Sequence, residues 1–385
     1  MRALVCIPDG AADESVPELG GRTPLTVGEM PVLGRLARQG TIGSARTIPA
    51  GMTAASDIGI MAILGADPRK HHRGRAPIEA AGLGIDLPGD RTVFRCNLVT
   101  VQDGIMVDFK GGEPDPGRAA AAIAALQRDL GGEVTFHEGL GYRHLMSAPA
   151  AWADTVSVAP HEIVGLRVVP PSGRAGNQLA RLMRESRSVL GGDSQIWLWG
   201  QGPATRLPRL PCRDGRLIGA VPVARGIGIL RGLVATPVRG ATGNGSTSYE
   251  AKRDAAIDAF AEGADLVVVH VAATDEAGHD GDVDAKIAAL EHWDSRLLDG
   301  LVEYLEATGP WRLLWVPDHV TATQRQVHTT APVPYMLYDS AVPGPGGVLA
   351  EDAVAGMRPE PGHMLMSQLL GQDLDGRVMA AEGQS

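Results

Sequence analysis

The chain has 385 residues, of which 44% are hydrophobic and 4% aromatic, and it contains 50 glycines. This length exceeds one ordinary core and predicts two domains, while the abundant glycine suits an α/β protein with tight strand-to-helix turns. The formal net charge of −10 disfavours nucleic-acid binding, because an acidic surface repels a phosphate backbone. It remains compatible with a small anionic substrate held by a local group of arginines.

The cysteines and the apolar runs indicate in which cellular compartment the protein is expected. There are three cysteines, an odd number, and they are widely spaced at Cys6, Cys96 and Cys212. This argues against a disulfide framework or a paired-cysteine metal site. We therefore expect a reducing, cytoplasmic location. The apolar run at residues 3–7 is too short for a signal peptide, and no stretch reaches the length of a membrane span, so no membrane partner is expected.

The predicted elements alternate between strands and helices. In chain order they are a strand at 3–7, helices at 30–39 and 56–63, short strands within 93–109, helices at 117–130 and 177–190, a strand at 196–199, a helix at 249–262, a strand at 265–271, a helical run at 284–305 and a strand at 312–316. Continuous apolar strands alternating with helices are typical of a parallel sheet covered on both faces. This rhythm breaks in the middle of the chain. We predict a doubly wound α/β core at 1–87 and 191–385, with a domain inserted at 88–190.

Potential metal ligands follow three of these strands. They are Asp9 after the first strand, Asp275 and His279 after the strand at 265–271, and Asp318, His319 and His328 after the strand at 312–316. Ligands bind beyond the carboxyl ends of the strands in open α/β sheets, so these side chains are expected at one edge. Taken singly, each could be a helix cap, a turn residue or a solvated side chain. As a group, carboxylates and imidazoles favour a divalent cation such as Mn, Zn, Mg or Co.

Ser56 opens the predicted helix at 56–63. A serine there could simply cap the helix. The same position allows a second role, because the free N–H groups and the positive dipole end of a helix attract phosphate. A metal beside the serine would favour its alkoxide and make it a nucleophile, and two metals would hold the attacking and leaving oxygens of an in-line displacement.

Motifs along nearly the whole chain match one family in order and spacing. They are PDGAAD, SDIGIMAILGADP, RGRAPIEAAGLGI, FRCNLVTV, GYRHLM, IWLWGQG, RGATGN, TDEAGHDGD, and PDH followed by VHTTAPVPY. In these the chain resembles the cofactor-independent phosphoglycerate mutases of the archaeal type, within the alkaline phosphatase superfamily. The resemblance implies an alkaline-phosphatase-like core sheet with an inserted, smaller α+β domain for substrate binding and phosphoryl transfer. It also implies a phosphoserine at Ser56 and interconversion of 3- and 2-phosphoglycerate without 2,3-bisphosphoglycerate.

The resemblance further implies two sets of metal ligands. One ion would be held by Asp9, Ser56, Asp318 and His319, and the other by Asp275, His279 and His328. Mn is the expected metal, with Mg, Zn or Co as alternatives. The substrate would be a small phosphorylated acid, bound by residues of the matching segments, namely Arg75, Arg95, Arg143, His144, His161 and Arg225. Arginine forms forked contacts to phosphate or carboxylate, although any one of these arginines could instead be solvated.

Three segments depart from the archaeal pattern and leave the acceptor of the phosphoryl group open. Archaeal members show an arginine pair and an SDTDPH segment. This chain has DFKGGE at residues 108–113 and SVAPH at residues 157–161 instead. In addition, Arg225 replaces a lysine. Mutase activity is therefore expected to be weaker than in archaeal members. The alternatives are a related acid of a phosphonate pathway, homoserine phosphorylated with ATP, and water. Ser246 of GATGNGST stands where a P-loop has lysine, which counts against a P-loop kinase. An inactive scaffold is disfavoured because every metal and nucleophile position is filled.

Overall fold

The computed structural model describes residues 1–374, which form two compact units. The first unit comprises Met1–His71 and the chain from Leu207 onward, and the second comprises His72–Arg206. The second unit is thus inserted into the chain of the first. It contains the whole of the segment 88–190 and extends beyond it on both sides. Residues 375–385 lie outside the described residues.

The strands of the described chain carry the labels used below. They are β1 (Arg2–Pro8), β2 (Thr41–Arg46), β3 (Arg91–Gln102), β4 (Ile105–Asp108), β5 (Thr135–Leu140), β6 (Arg143–Pro149), β7 (Ser194–Pro203), β8 (Gly215–Ile218), β9 (Val234–Thr236), β10 (Leu266–Val271), β11 (Trp311–Trp315), β12 (Val320–Ala322), β13 (Val327–Thr329), β14 (Val333–Asp339) and β15 (Glu360–Pro361).

The helices are numbered in the same way. They are α1 (Pro24–Val27), α2 (Pro31–Ala37), α3 (Ser56–Ile63), α4 (Pro68–His71), α5 (Arg75–Gly82), α6 (Pro116–Leu130), α7 (Gly176–Leu190), α8 (Pro222–Leu230), α9 (Tyr249–Ala261), α10 (Ala273–Asp280), α11 (Val283–His292), α12 (Asp299–Ala307), α13 (Glu351–Val354) and α14 (Leu365–Leu370). A π-helical segment, Trp293–Leu298, joins α11 to α12. Among residues 1–374, none of the helices combines the length and the apolar character needed to cross a bilayer.

Several helices begin where the local sequence supplies a cap. Asp115, Ser248 and Asp282 precede α6, α9 and α11, and the side chain of each accepts the N–H of the residue three positions later. These bonds satisfy backbone donors that have no partner inside the helix. Short-range chemistry of this kind explains why the sequence predicts the starts of these three helices to within a few residues.

The first unit is built on an eight-stranded mixed sheet with the order β15-β2-β14-β11-β1-β10-β8-β9. Strand β1 pairs in parallel with β10 on one side and with β11 on the other, whereas β14 runs antiparallel to both β11 and β2. The sequence predicts a parallel sheet, and this prediction is wrong for β14, which makes the sheet mixed. No crossover helix lies between β11 and β14, only the β12–β13 hairpin, and without a crossover the chain returns in the opposite direction.

Both faces of the central strands are covered. Leu4 and Cys6 of β1 belong to a core cluster that includes residues of α2, α9, α11 and α12. The intervening residue Val5 is equally buried. Because neighbouring residues of a strand point to opposite faces, helices or loops must shield the second face as well. The predicted doubly wound α/β class is confirmed.

The second unit contains an antiparallel sheet centred on β3. Strand β3 pairs with β4 and β6, and β7 also pairs with it. Phe94 and Met146 face a core built with α6 and α7, while Val93 and Leu145 pack with Ala76 of α5. With twelve residues, β3 is longer than the short strands predicted for this region, because it is buried between two partner strands along most of its length.

Lys252 on α9 is a fully buried lysine in the first unit. Its Nζ donates a hydrogen bond to the backbone carbonyl of His270, at 3.1 Å. Burial lowers the pKa of Lys252 to about 8, because removal from water disfavours the charged form. The folded protein therefore holds this proton less tightly than the unfolded chain does.

We predict that Lys252 destabilises the fold most at neutral pH. Below pH 8 both states are protonated and burial of the ammonium carries its full cost. Between pH 8 and the unfolded pKa only the unfolded chain stays protonated, so the stability of the wild type rises relative to Lys252→Met. The difference in unfolding free energy between variant and wild type should fall by roughly 3 kcal/mol across this window. Urea unfolding at pH 7–10 measures it. The exposed Lys70→Met is the control, and a pH-independent difference for Lys252→Met would contradict the prediction.

Candidate active site

Three buried ligand-type residues meet where β1 and β11 end. Asp9 directly follows β1, and Asp318 and His319 follow β11. One ligand atom from each lies within 4.8 Å of the others. His319 Nε2 is 3.5 Å from Asp9 Oδ1 and 3.4 Å from Asp318 Oδ2. These residues form the first ligand group.

The second ligand group comprises Asp275, His319 and His328, again with ligand atoms within 4.8 Å of one another. Asp275 lies in the first turn of α10, directly beyond β10. His328 lies on β13, opposite Thr321 in the β12–β13 hairpin. This hairpin brings His328 Nε2 to 3.1 Å from Asp275 Oδ1. His319 thus belongs to both groups.

His279 lies beside the second group. It follows Asp275 by one turn of α10, and its Nε2 is 3.6 Å from Asp275 Oδ1 and 2.7 Å from His328 Nε2. Two imidazole nitrogens that face each other at this distance can share at most one proton. At least one of the two nitrogens therefore has no proton and directs its lone pair at the other nitrogen. An imidazole nitrogen that binds a metal ion also uses its unprotonated lone pair.

Ser56 is the first residue of α3 and is buried. The residue at the cap position is Ala55, and no side chain caps this helix, so Ser56 does not have the simple capping role. Its Oγ lies 3.3 Å from His319 Nε2. The structure therefore brings the serine to the first ligand group, at the end of α3 where the backbone N–H groups and the helix dipole favour anions.

Gly59 allows α3 to approach the first ligand group closely. A Cβ at this position would collide with the backbone carbonyl of Asp318, lying 2.8 Å from its carbon atom. Gly10 serves the same purpose after β1. Its φ is +61°, a Cβ there would lie 2.7 Å from Asp275 Oδ1, and its N–H donates to Asp318 Oδ1 at 2.9 Å. A side chain at Gly59 would push α3 away from Asp318, and one at Gly10 would push the end of β1 away from Asp275.

Burial and charge set the protonation of the site. Burial lowers the pKa of His270 to about 4, so its ring is neutral. Its Nε2 is 3.0 Å from Asp9 Oδ2, and because an ionised carboxylate only accepts, Nε2 carries the proton and donates. Burial also lowers the pKa of His319. Burial alone would raise the pKa of Asp275, but a hydrogen bond from His328 and the nearby imidazoles lower it, so this carboxyl is ionised.

The donor set fits a divalent cation. Asp318 Oδ2 is buried and accepts no hydrogen bond from the described residues, although a buried carboxylate oxygen without a donor is costly. Beside it lie a second carboxylate, the imidazole of His319 and the hydroxyl of Ser56. Ionised carboxylates together with a neutral imidazole are ligands that Mn, Zn, Mg and related ions accept.

Two further residues of this site were not predicted. His270 supports Asp9, as described above. Thr321 donates its Oγ1–H to Asp275 Oδ1 at 2.6 Å, and its Oγ1 lies 3.2 Å from His319 Nδ1. His270 carried a recognisable signal, since it is a lone polar residue within the fully buried strand β10. Thr321 carried none, because only the pairing of the hairpin brings it here.

A separate cationic cluster lies within the second unit. Glu79 of α5 accepts hydrogen bonds from Arg75 Nε at 2.9 Å and from Arg95 Nε at 2.8 Å. Arg95 lies opposite Trp199 in the pairing of β3 with β7. Its guanidinium carbon is 4.2 Å from the centroid of the Trp199 ring, a favourable cation–π distance.

Aromatic rings extend this cluster to the remaining predicted cations. The His161 ring is 5.5 Å from Trp199 and 6.1 Å from Phe109. The ring centroids of Phe109 and Tyr142 are 6.0 Å apart. The guanidinium carbon of Arg143 lies 4.9 Å from the centroid of the Tyr142 ring. The structure thus brings together four of the six predicted substrate residues, namely Arg75, Arg95, Arg143 and His161.

His144 does not belong to this cluster. Because side chains alternate along a strand, His144 of β6 points to the opposite face from Arg143 and Leu145. It is buried, its Nδ1 accepts the N–H of Gly139 at 3.0 Å, and burial lowers its pKa to about 4. Arg225 lies on α8 of the first unit.

Sequence comparison with known proteins finds one family. A family model described as 2,3-bisphosphoglycerate-independent phosphoglycerate mutase matches residues 37–194. The chain is 38% identical to the enzyme of that name from Methanosarcina barkeri, over 88% of this chain and 90% of the relative. It is 36% identical to a probable enzyme of the same name from Geobacter sulfurreducens, over 96% of this chain and 100% of the relative.

Solved structures share the fold. A protein from Pyrococcus horikoshii superposes with a TM-score of 0.78 at 22% identity, covering 97% of this chain and 98% of that one. The cofactor-independent phosphoglycerate mutase from Thermoplasma acidophilum superposes with a TM-score of 0.62 at 23% identity, covering 96% and 99%. At these identities the likeness concerns the fold alone.

We predict that Gly59→Ala weakens both the fold and the site. Alanine favours a helix over glycine by about 1 kcal/mol, but the added methyl group collides with the rigid backbone carbonyl of Asp318 and should cost about 2–3 kcal/mol, which leaves a net loss of stability. Urea unfolding and metal-binding affinity measure the two effects. Gly356→Ala is the control, because nothing lies within 4 Å of a Cβ there. Unchanged stability and affinity in Gly59→Ala would show that α3 does not depend on this close approach.

Proposed function

Because the chain belongs to the family of 2,3-bisphosphoglycerate-independent phosphoglycerate mutases, we propose that it interconverts 3-phosphoglycerate and 2-phosphoglycerate with Ser56 as the nucleophile. The observation that carries this proposal is the position of the Ser56 hydroxyl. It lies at the first turn of α3, 3.3 Å from His319 Nε2, which belongs to both ligand groups. A serine that only capped a helix would not need to lie beside a shared metal ligand.

Two divalent ions per chain are part of the proposal, with Mn²⁺ as the first candidate. Asp9, Asp318 and His319, together with Ser56, would hold one ion. Asp275, His279 and His328 would hold the other. When bound, such ions favour the serine alkoxide and offset the charge of the phosphoryl group. Homoserine or a phosphonate-pathway acid would require the same ligands, so the acceptor must be identified by experiment.

The reaction then proceeds in two balanced halves. Ser56 Oγ attacks the phosphorus atom, the Oγ–P bond forms, and the bond from phosphorus to the C3 oxygen of the substrate breaks. The serine proton ends on that C3 oxygen. In the second half the C2 oxygen attacks the same phosphorus, the Oγ–P bond breaks, and the proton of the C2 hydroxyl restores the serine. Nothing is consumed, so neither ATP nor a bisphosphorylated cofactor is required.

Each unit contains groups suited to an anionic part of the substrate. The N-terminal end of α3 attracts the phosphoryl oxygens through its backbone N–H groups and dipole. In the second unit, the cluster of Arg75, Arg95, Arg143 and His161 binds the carboxylate, which is never transferred. Such fixed contacts are necessary, because glycerate must be recaptured with a different hydroxyl facing the phosphoserine.

We predict that Ser56→Ala lowers turnover at least about 10³-fold, because no other group can carry the phosphoryl group. Formation of 2-phosphoglycerate from 3-phosphoglycerate with Mn²⁺ is followed by ³¹P NMR, and the fold is checked by circular dichroism. The exposed Ser295→Ala serves as control. Parallel reactions test ATP with homoserine, a phosphonate-pathway acid, and release of inorganic phosphate.

The outcomes separate the alternatives. A kcat/KM of about 10⁴ M⁻¹s⁻¹ or more with 3-phosphoglycerate establishes the mutase. Faster turnover in one of the parallel reactions would show that the substrate is not 3-phosphoglycerate, while Ser56 would remain the proposed nucleophile. A Ser56→Ala protein that keeps more than a few per cent of the activity excludes the phosphoserine.

We predict that the wild type binds two divalent ions per chain, and that Asp318→Asn and Asp275→Asn each bind about one. Each substitution removes one charged ligand from a different group, and a neutral amide is a weaker ligand for these ions. Elemental analysis after dialysis gives the stoichiometry. Asp284→Asn, an exposed acidic position in the same unit, should retain both ions. Full activity after treatment with a chelator would contradict the metal-dependent proposal.

A further inference from the structure

Glu79 is a buried acidic residue inside a cluster that binds an anion in the proposed function. It is 8% exposed. Its two carboxylate oxygens bind different arginines, Oε1 accepting from Arg75 Nε and Oε2 accepting from Arg95 Nε. An acidic group in this position opposes the attraction of an anionic substrate, so its presence calls for a physical reason.

The charges of this group are fixed. Burial would raise the pKa of Glu79, but the charges of Arg95, Arg75 and Arg143 outweigh it and lower that pKa. Burial lowers the pKa of Arg95 to about 10, which still leaves it charged at neutral pH. Buried ion pairs seldom repay the cost of their own desolvation, so stability alone is a weak explanation for this one.

The geometry directs Arg95 towards a further acceptor. Glu79 uses only Nε of Arg95, and the indole of Trp199 covers one face of the guanidinium. Within residues 1–374, no protein acceptor receives a hydrogen bond from the two terminal Nη nitrogens of Arg95. Arg95 is itself 5% exposed. A guanidinium held in this way presents its paired Nη donors in one fixed direction, the arrangement that a carboxylate accepts.

We propose that Glu79 is a positioning residue that holds the guanidiniums of Arg75 and Arg95 so that the Arg95 Nη nitrogens receive the carboxylate of the substrate. This inference rests on the proposed function and deepens it. Glu79 touches no substrate. Its contribution is to fix in advance the orientation of a long side chain that would otherwise lose rotamer freedom on binding.

Two roles for Glu79 predict effects of opposite sign. If Glu79 only offsets the charge of the arginines, its neutralisation makes the site more positive and the substrate anion binds more tightly. If Glu79 positions Arg95, its neutralisation releases the guanidinium and the anion binds more weakly. Glutamine is suited to this comparison, because its size is nearly that of glutamate and it offers one acceptor oxygen instead of two.

The test measures binding of 3-phosphoglycerate by isothermal titration calorimetry, and KM and kcat on the same preparations, for the wild type, Glu79→Gln and the exposed control Glu138→Gln. We expect Glu79→Gln to raise Kd and KM about tenfold or more while kcat changes less than about threefold. Glu138→Gln should match the wild type. Should Glu79→Gln fail to fold, Glu79→Asp keeps the charge but is too short to reach both arginines, and the same rise in Kd is expected.

Each outcome is decisive. Wild-type binding together with an unchanged or lower Kd in the Glu79 variant overturns the positioning role and leaves the proposed function standing. A wild type that does not bind 3-phosphoglycerate overturns the proposed function, and the inference that rests on it fails as well. A rise in Kd confined to the Glu79 variant supports both.

Discussion

The parallel pairing of β1 with β10 and β11 is the constraint on which the candidate active site depends. In this register Pro8 lies opposite Val271, and Cys6 lies opposite Trp315. Three strands therefore end at one edge of the sheet, and the next residues of each supply a carboxylate or an imidazole to the same small volume. Any shift in register would separate the ligand groups, because each is assembled from two or three strand ends.

Bringing buried carboxylates together is costly, and the protein offsets the cost with one or more specific donors for each. Asp9 receives a hydrogen bond from His270, Asp318 from the N–H of Gly10, and Asp275 from Thr321. Such supporting contacts hold a carboxylate in one orientation while its remaining lone pairs stay available to a ligand. The second unit applies the same principle with the charges reversed, since there an acidic residue orders arginines.

The proposed function and the proposed role of Glu79 follow from one requirement. A phosphoryl group that leaves one hydroxyl and returns to another needs a nucleophile that keeps it and a grip on the part of the substrate that does not react. In the proposed function Ser56 at the start of α3 is the nucleophile, and the cluster around Arg95 is the group proposed to hold the carboxylate. Preorganisation is essential in both, because freedom lost on binding reduces affinity.

Local sequence determined the longer helices, the apolar strands β1, β10 and β11, the ligand-type residues beyond them and Ser56, because periodicity, caps and residue chemistry act over a few positions. Only the tertiary structure decided the antiparallel placement of β14, the face of β6 to which His144 points, and the role of Thr321. It also joined Glu79 of a helix to Arg95 of a strand. These depend on strand pairing and register, and hence on contacts between residues far apart in the chain, which the local pattern does not encode.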